Sequence, residues 1–133
     1  MDDKKADKPA HAWKADLTPA QFRITREHGT ERAFTSPLNG EKRDGVYYCI
    51  CCDAQLFNSN AKYDSGSGWP SFFQPHSTDA LSAHEDNSLL MLRTEIRCAN
   101  CDAHLGHLFP DGPAPTGQRY CINGVALDFK PEV

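Results

Sequence analysis

The chain has 133 residues, six cysteines and a formal net charge of -4, with 14 basic against 18 acidic side chains. That length suits one domain with a core of moderate depth, and the lack of a basic excess removes the global field that nucleic acid or an anionic membrane surface would need. No run approaches the ~18 apolar residues of a membrane helix, and the opening Met1-Asp2-Asp3-Lys4-Lys5 has mixed charge rather than the apolar segment of an export signal. A cytoplasmic protein is expected, with no membrane or nucleic-acid partner. In that compartment paired cysteines serve as metal ligands or redox groups more often than as structural disulfides.

Residues 1–14 read as a mobile tail and residues 15–133 as one domain. Thr18-Pro19-Ala20-Gln21 carries three helix-start signals: an N-cap hydroxyl, a proline at the first helical position and a glutamine three residues after the cap. Leu17 and Phe22 stand at staple positions. The helix is expected to run to about His28 and to stop at Gly29, the residue best suited to a left-handed cap. Between Thr30 and Gly45 the turn signals Asn39-Gly40 and Asp44-Gly45 leave room for a short second helical turn. Strands are then expected at Val46 to Cys49, Ala54 to Phe57, Ser71 to Gln74, Leu89 to Arg97, His104 to Phe109 and Tyr120 to Phe129, with a proline- and glycine-rich loop over Pro110 to Gly117. His11, His28 and His76 read as surface residues and His84 as part of a polar loop.

Cys49-Ile50-Cys51-Cys52 and Cys98-Ala99-Asn100-Cys101 form two Cys-x-x-Cys pairs. Each pair suits a metal knuckle, and two knuckles complete the four-sulfur tetrahedron that Zn²⁺ accepts. A fully protein-filled shell has no place for a catalytic water, so a site on Cys49, Cys52, Cys98 and Cys101 is expected to be structural. The long separation makes it a clamp between distant hairpins rather than a compact ribbon. Redox Cys-x-x-Cys motifs, a disulfide scaffold, or ligation by Cys98, Cys101, His104 and His107 are weaker alternatives.

In the Arg119 to Asn123 stretch, period-two alternation places Arg119, Cys121 and Asn123 on one face and Tyr120 and Ile122 on the other. A guanidinium two residues from a thiol favours the nucleophilic thiolate. The same pattern also fits a buried structural cysteine. Trp69, locked extended in front of Pro70 after Gly66 and Gly68, offers a fixed indole wall or a cap on the core edge. His104 and His107 offer imidazoles for acid catalysis near neutral pH.

Taken together, the two cysteine pairs, Tyr63-Asp64-Ser65-Gly66-Ser67-Gly68-Trp69-Pro70-Ser71-Phe72, Arg97 to Gly112 and Arg119-Tyr120-Cys121-Ile122-Asn123 closely resemble the B-type peptide methionine-R-sulfoxide reductases, the SelR domain family. The resemblance runs in order from about Thr18 to Phe129. It implies a mainly β fold of two antiparallel sheets, tent-like, with short N-terminal helices and a structural zinc knot. It also implies reduction of methionine-R-sulfoxide in peptides or proteins, with thioredoxin or another thiol as reductant. Carried onto this sequence, it makes Cys121 the nucleophile, His107 the proton donor and His104 its support. Trp69 and Phe109 become the walls for the S-methyl group, while Arg119 and Asn123 tune the charge. Many members have a resolving cysteine where this chain has Ser67. The remaining spare thiol is Cys51, so the alternatives are a Cys51 to Cys121 disulfide or, preferred, direct reduction of the Cys121 sulfenic acid by an external thiol. Readings from other classes are a zinc-stabilised β binding module without catalysis, and a thiol peroxidase.

Overall fold

The computed structural model describes residues 17–87 and 92–132. The expected tail and the start of the strand expected from Leu89 lie outside these residues. Helix α1 spans Pro19–Arg26, and its N-terminus is a complete capping box: Thr18 Oγ1 accepts from Gln21 N at 3.1 Å while Gln21 Oε1 accepts from Thr18 N at 2.9 Å. Such a cap contributes about 1 kcal/mol and starts the helix where the chain signals it. Leu17 and Phe22 both pack against the core. The stop differs from expectation. Glu27 is the cap, and His28 rather than Gly29 takes the left-handed angle, φ 56°, while Gly29 N donates to Arg23 O at 3.0 Å. The second helical turn is a 3-10 turn at Pro37–Gly40.

The strands are β1 Gly45–Cys49, β2 Gln55–Asn58, β3 Lys62–Tyr63, β4 Ser71–Phe72, β5 Leu81–Asp86, β6 Arg93–Cys98, β7 His104–Phe109, β8 Arg119–Ile122 and β9 Leu127–Pro131. They form a three-stranded sheet in the order β2-β1-β9 and a six-stranded sheet in the order β3-β4-β8-β7-β6-β5, antiparallel at every pairing. The mainly β, two-sheet expectation holds. The expected single strand from Tyr120 to Phe129 is instead two strands in different sheets. The chain leaves β8 at Asn123, makes a 3-10 turn at Gly124–Ala126 and crosses to the small sheet as β9.

Between the sheets lies an aromatic core. Phe57 stacks on Phe72 with ring centroids 4.2 Å apart, and Tyr47 meets Phe72 edge-on at 5.1 Å. All three are fully buried, a stabilisation of about 1.5–3 kcal/mol for each such side chain. Directly opposed residues in antiparallel strands share a face. One register row therefore crosses the large sheet as Tyr63, Ser71, Cys121, His107, Glu95 and His84. Gly106 lets β7 and β8 approach at this row, since a Cβ there would collide with the Cys121 carbonyl.

Candidate active site

Helix α1 sits over β7 and the turn at Gly124–Ala126, and it also reaches the cysteine cluster. The sulfurs of Cys49, Cys52, Cys98 and Cys101 lie within 4.8 Å of one another, with Cys49 to Cys101 and Cys52 to Cys98 both at 3.6 Å. A zinc ion with Zn–S bonds of ~2.3 Å requires S···S edges of about 3.8 Å, so the cage has the right size. The two knuckles repeat one backbone design. Asp53 N donates to Cys49 O and Asp102 N to Cys98 O, and both aspartates take the left-handed region, φ 65° and 66°. Arg26 Nη2 donates to Cys101 O at 3.0 Å and to Cys101 Sγ at 3.3 Å, placing a cation against a cluster that gathers negative charge on ligation. His104 and His107 take no part in this set. Cys51 is 3% exposed, and its thiol donates to Thr25 Oγ1 at 3.4 Å.

On the register row of the large sheet, Cys121 is half-buried at a cleft of about 100 Å³ whose walls include Thr30, Trp69, His107, Phe109 and Asn123. The structure thus brings the sequence-predicted sulfur, indole, imidazole and phenyl ring together. Burial pushes the Cys121 thiol above its ordinary value, while the Ser67 hydroxyl and the Arg119 charge pull it back. Arg119 pulls toward the thiolate in the expected direction, but burial outweighs it. Its guanidinium is engaged in a two-point pair with Asp111, at 2.9 and 3.2 Å, and lies 4.3 Å over the Phe109 ring. Arg119 orders the Phe109 wall and contributes charge from a partly neutralised pair. Ser67 Oγ approaches Cys121 Sγ at 3.9 Å.

His107 is anchored by Asp86, Nε2 to Oδ2 at 2.7 Å, and Asp86 also takes an ion pair from Arg93 at 3.4 Å. His104 is 2% exposed, with Nδ1 on Glu95 Oε2 at 2.7 Å and a buried Nε2 that has no partner among the described residues. Burial lowers its basicity against the opposing pull of Glu95, favouring the neutral ring. Burial would raise the Glu95 carboxyl, but bonds from Arg97, His104 and His28 outweigh it and hold the group down at about 2. His28 is exposed, as expected, and its Nδ1 lies 2.8 Å from Glu95 Oε2. His28, Glu95 and His104 resemble a metal triad by spacing. Their direct hydrogen bonds, with Arg97 already on Glu95, describe a charge network instead. His84 stands in β5 rather than a loop, with Nε2 2.9 Å from Ser82 Oγ.

Asn123 lines the cleft, but both ends of its amide are committed: Nδ2 donates to Leu105 O at 3.0 Å and Oδ1 accepts from Glu31 N at 2.9 Å. It fixes the end of β8. Glu31, which sequence reasoning missed, is the hub of this region. Its carbonyl accepts the Trp69 indole N–H at 3.0 Å, and its Oε1 accepts from Val125 N at 2.9 Å. The signal available was only an acidic residue after the helix, which has no meaning until the chain folds.

Among the described residues no helix is long and apolar enough to cross a membrane. The family model described as the SelR domain matches residues 17–131. The chain is 59% identical over 128 residues to a protein of Pseudomonas entomophila strain L48 named peptide methionine sulfoxide reductase MsrB, covering 96% of this chain and 98% of that one. It is equally similar to the protein of the same name from Pseudomonas putida strain W619, covering 96% of each chain. It is 56% identical over 132 residues to that of Synechococcus sp. strain RCC307, covering 96% of this chain and 97% of that one. With its cysteine cage and its sulfur, indole and imidazole on one cleft, the chain belongs to the SelR domain family.

Proposed function

We propose that this protein is a peptide methionine-(R)-sulfoxide reductase in which Cys121 attacks the sulfoxide sulfur. The observation that carries the reading is the convergence of Cys121, Trp69, Phe109 and His107 on one cleft in a SelR chain. The reaction balances as thiol plus sulfoxide giving sulfenic acid plus thioether. The Cys121 sulfur takes up the oxygen and is oxidised by two electrons, the substrate sulfur is reduced, and the thiol proton ends on the sulfenic oxygen. The departing oxygen must gain a proton as its bond to the methionine sulfur breaks. His107, on the wall of the cleft, is the group that lends it. Asp86 holds Nε2, leaving Nδ1 as the nitrogen that exchanges a proton with the substrate. His104, held by Glu95, keeps the second imidazole fixed. Trp69 and Phe109 confine the S-methyl group and so select the epimer. Asn123 and Arg119 act by positioning β8 and Phe109.

The sulfenic acid is then reduced by an external thiol, first to a mixed disulfide with loss of water and then to the free thiol by a second thiol; thioredoxin is our preferred donor. The buried Cys51 with its Thr25 partner, and a serine rather than a cysteine facing Cys121, support that choice over internal resolution. Cys49, Cys52, Cys98 and Cys101 would hold one zinc ion, which with no open position supplies cross-linking of the two knuckles and no bond chemistry. Residues 15–133 form the catalytic domain, and six free thiols suit the reducing cytoplasm.

Turnover of the separate R and S epimers of a methionine sulfoxide peptide tests the reading. Reduction of the R epimer, lost in Cys121→Ser with metal content unchanged, is expected. Equal turnover of both epimers, or of peroxide in preference, would overturn it.

A further inference from the structure

A file of three hydroxyls runs from the nucleophile into the protein. Cys121 Sγ is 3.9 Å from Ser67 Oγ, Ser67 Oγ is 2.8 Å from Ser65 Oγ, and Ser65 Oγ is 2.7 Å from Ser71 Oγ. Ser71 is fully buried and donates its only hydroxyl proton to Trp69 O at 3.0 Å. A hydroxyl has one proton and two lone pairs. Ser71 can therefore only accept from Ser65, which commits the Ser65 proton as well. Ser65 Oγ is left as a pure acceptor toward Ser67, and it receives the Ser67 main-chain N–H at 3.3 Å in addition. Ser67 Oγ accepts from Trp69 N at 3.5 Å and keeps one uncommitted proton with two acceptors in reach, Ser65 Oγ and Cys121 Sγ.

Resting on the reading of Cys121 as nucleophile, we propose that Ser67 is a catalytic hydroxyl whose proton swings between Ser65 and Cys121, so that Ser67 accepts from the Cys121 thiol and donates to its thiolate. While Cys121 carries its proton, S–H donates to Ser67 and Ser67 donates to Ser65. When the sulfur gives up that proton, rotation about one C–O bond turns the Ser67 hydroxyl onto the anion. Ser65 still holds the Ser67 N–H, so no group is left bare in either state. This hydroxyl opposes the burial that raises the Cys121 thiol, ahead of the Arg119 charge. Ser65 and Ser71 set the direction of the file, and Ser71 is the cross-strand partner of Cys121, so the β4 and β8 register holds it in place.

The charged and titratable groups around the sulfur are Arg119 with its partner Asp111, His107 across β7, Tyr63 on β3, Glu31 after α1 and Arg93 in the cleft. All of them remain in Ser65 and Ser67 variants. The test is the pH dependence of iodoacetamide alkylation of Cys121, read on the tryptic peptide of the metal-loaded full chain that begins at Tyr120 and runs through the uncleaved Lys130-Pro131 bond. Ser67→Ala removes the donor and is expected to raise the midpoint by about one pH unit. Ser65→Ala removes the competing acceptor, leaves the Ser67 proton for the sulfur and is expected to lower the midpoint. Ser67→Thr keeps the hydroxyl and is expected to stay near wild type. In parallel, kcat/KM for the R-sulfoxide should fall ~10-fold in Ser67→Ala and be restored in Ser67→Thr. Shifts of the same sign in the two alanine variants, or no shift in either, would overturn the proposal. Loss of the parent reading shows differently, as sulfoxide turnover that survives Cys121→Ser.

Discussion

The Trp69 indole is tied at 3.0 Å to the carbonyl of Glu31, whose own N–H holds the Asn123 amide at 2.9 Å. One residue outside any helix or strand thus spaces the indole on the cleft wall from the end of β8. Its side chain anchors the arrangement on Val125, so Glu31→Ala should cost about 1–3 kcal/mol, the penalty for a buried donor left bare, and should raise KM. Burial raises the Glu31 carboxyl above 4.5, outweighing its bonds to Val125 and Gly124. A carboxyl with a raised folded-state pKa stabilises most below its unfolded value and loses that contribution as pH climbs through the folded one. Glu31→Gln should therefore gain on wild type from pH 4.5 toward neutrality, as measured by urea unfolding across that range.

Glu95 has the opposite sign. Held down at about 2 from 4.5 against the cost of its burial, by Arg97, His104 and His28, it stabilises above pH 4.5 and loses this as pH falls through about 2. The contribution at neutral pH is on the order of 2–3 kcal/mol. Glu95→Gln should unfold at correspondingly lower urea at pH 7, and the difference from wild type should close toward pH 2. It should also lower kcat, because His104 loses its anchor.

The cysteine cage should make folding depend on metal. Apparent zinc binding energies of structural sites are ~10–16 kcal/mol, comparable to the stability of a whole domain. Cys98→Ser, or chelation of the wild type, should bring loss of the bound ion and of cooperative thermal unfolding together, measured by elemental mass spectrometry and calorimetry. Cys51→Ser should keep both.

Trp69→Ala should widen the cleft and leave Cys121 in place. A fall in R-over-S discrimination with a raised KM, and with Cys121 alkylation little changed, is the expected outcome in epimer-resolved kinetics. His107→Ala, by contrast, should lower kcat by about 10²-fold or more at similar KM.

What was legible in the chain was local. Thr18, Pro19 and Gln21 announce the helix because a capping box is made within four residues, and the Cys-x-x-Cys pairs announce a cage because each knuckle closes on itself. The illegible parts depend on partners distant in sequence. Strand β5 carries polar residues on an outer strand of the sheet and so lacks a clear apolar alternation. The break between β8 and β9 comes at Asn123-Gly124, a turn signal of the same kind as Asn39-Gly40 that the single-strand expectation passed over, and the Asn123 side chain fixes it with bonds from Glu31 and to Leu105. His28 is exposed as read, but its bond to Glu95 exists only because the helix end turns it there. The three serines acquire meaning only when β4 is laid against β8.

A single turnover without reductant measures the central chemistry most directly. Methionine-R-sulfoxide peptide is mixed with the reduced, metal-loaded protein, and sulfenic acid is trapped with dimedone and located by mass spectrometry. Methionine formed in equal amount to an adduct on the tryptic peptide that begins at Tyr120, with neither product in Cys121→Ser, is the expected result. Methionine produced by the Cys121→Ser protein, or an adduct on Cys51 with Cys121 left unmodified, would contradict it.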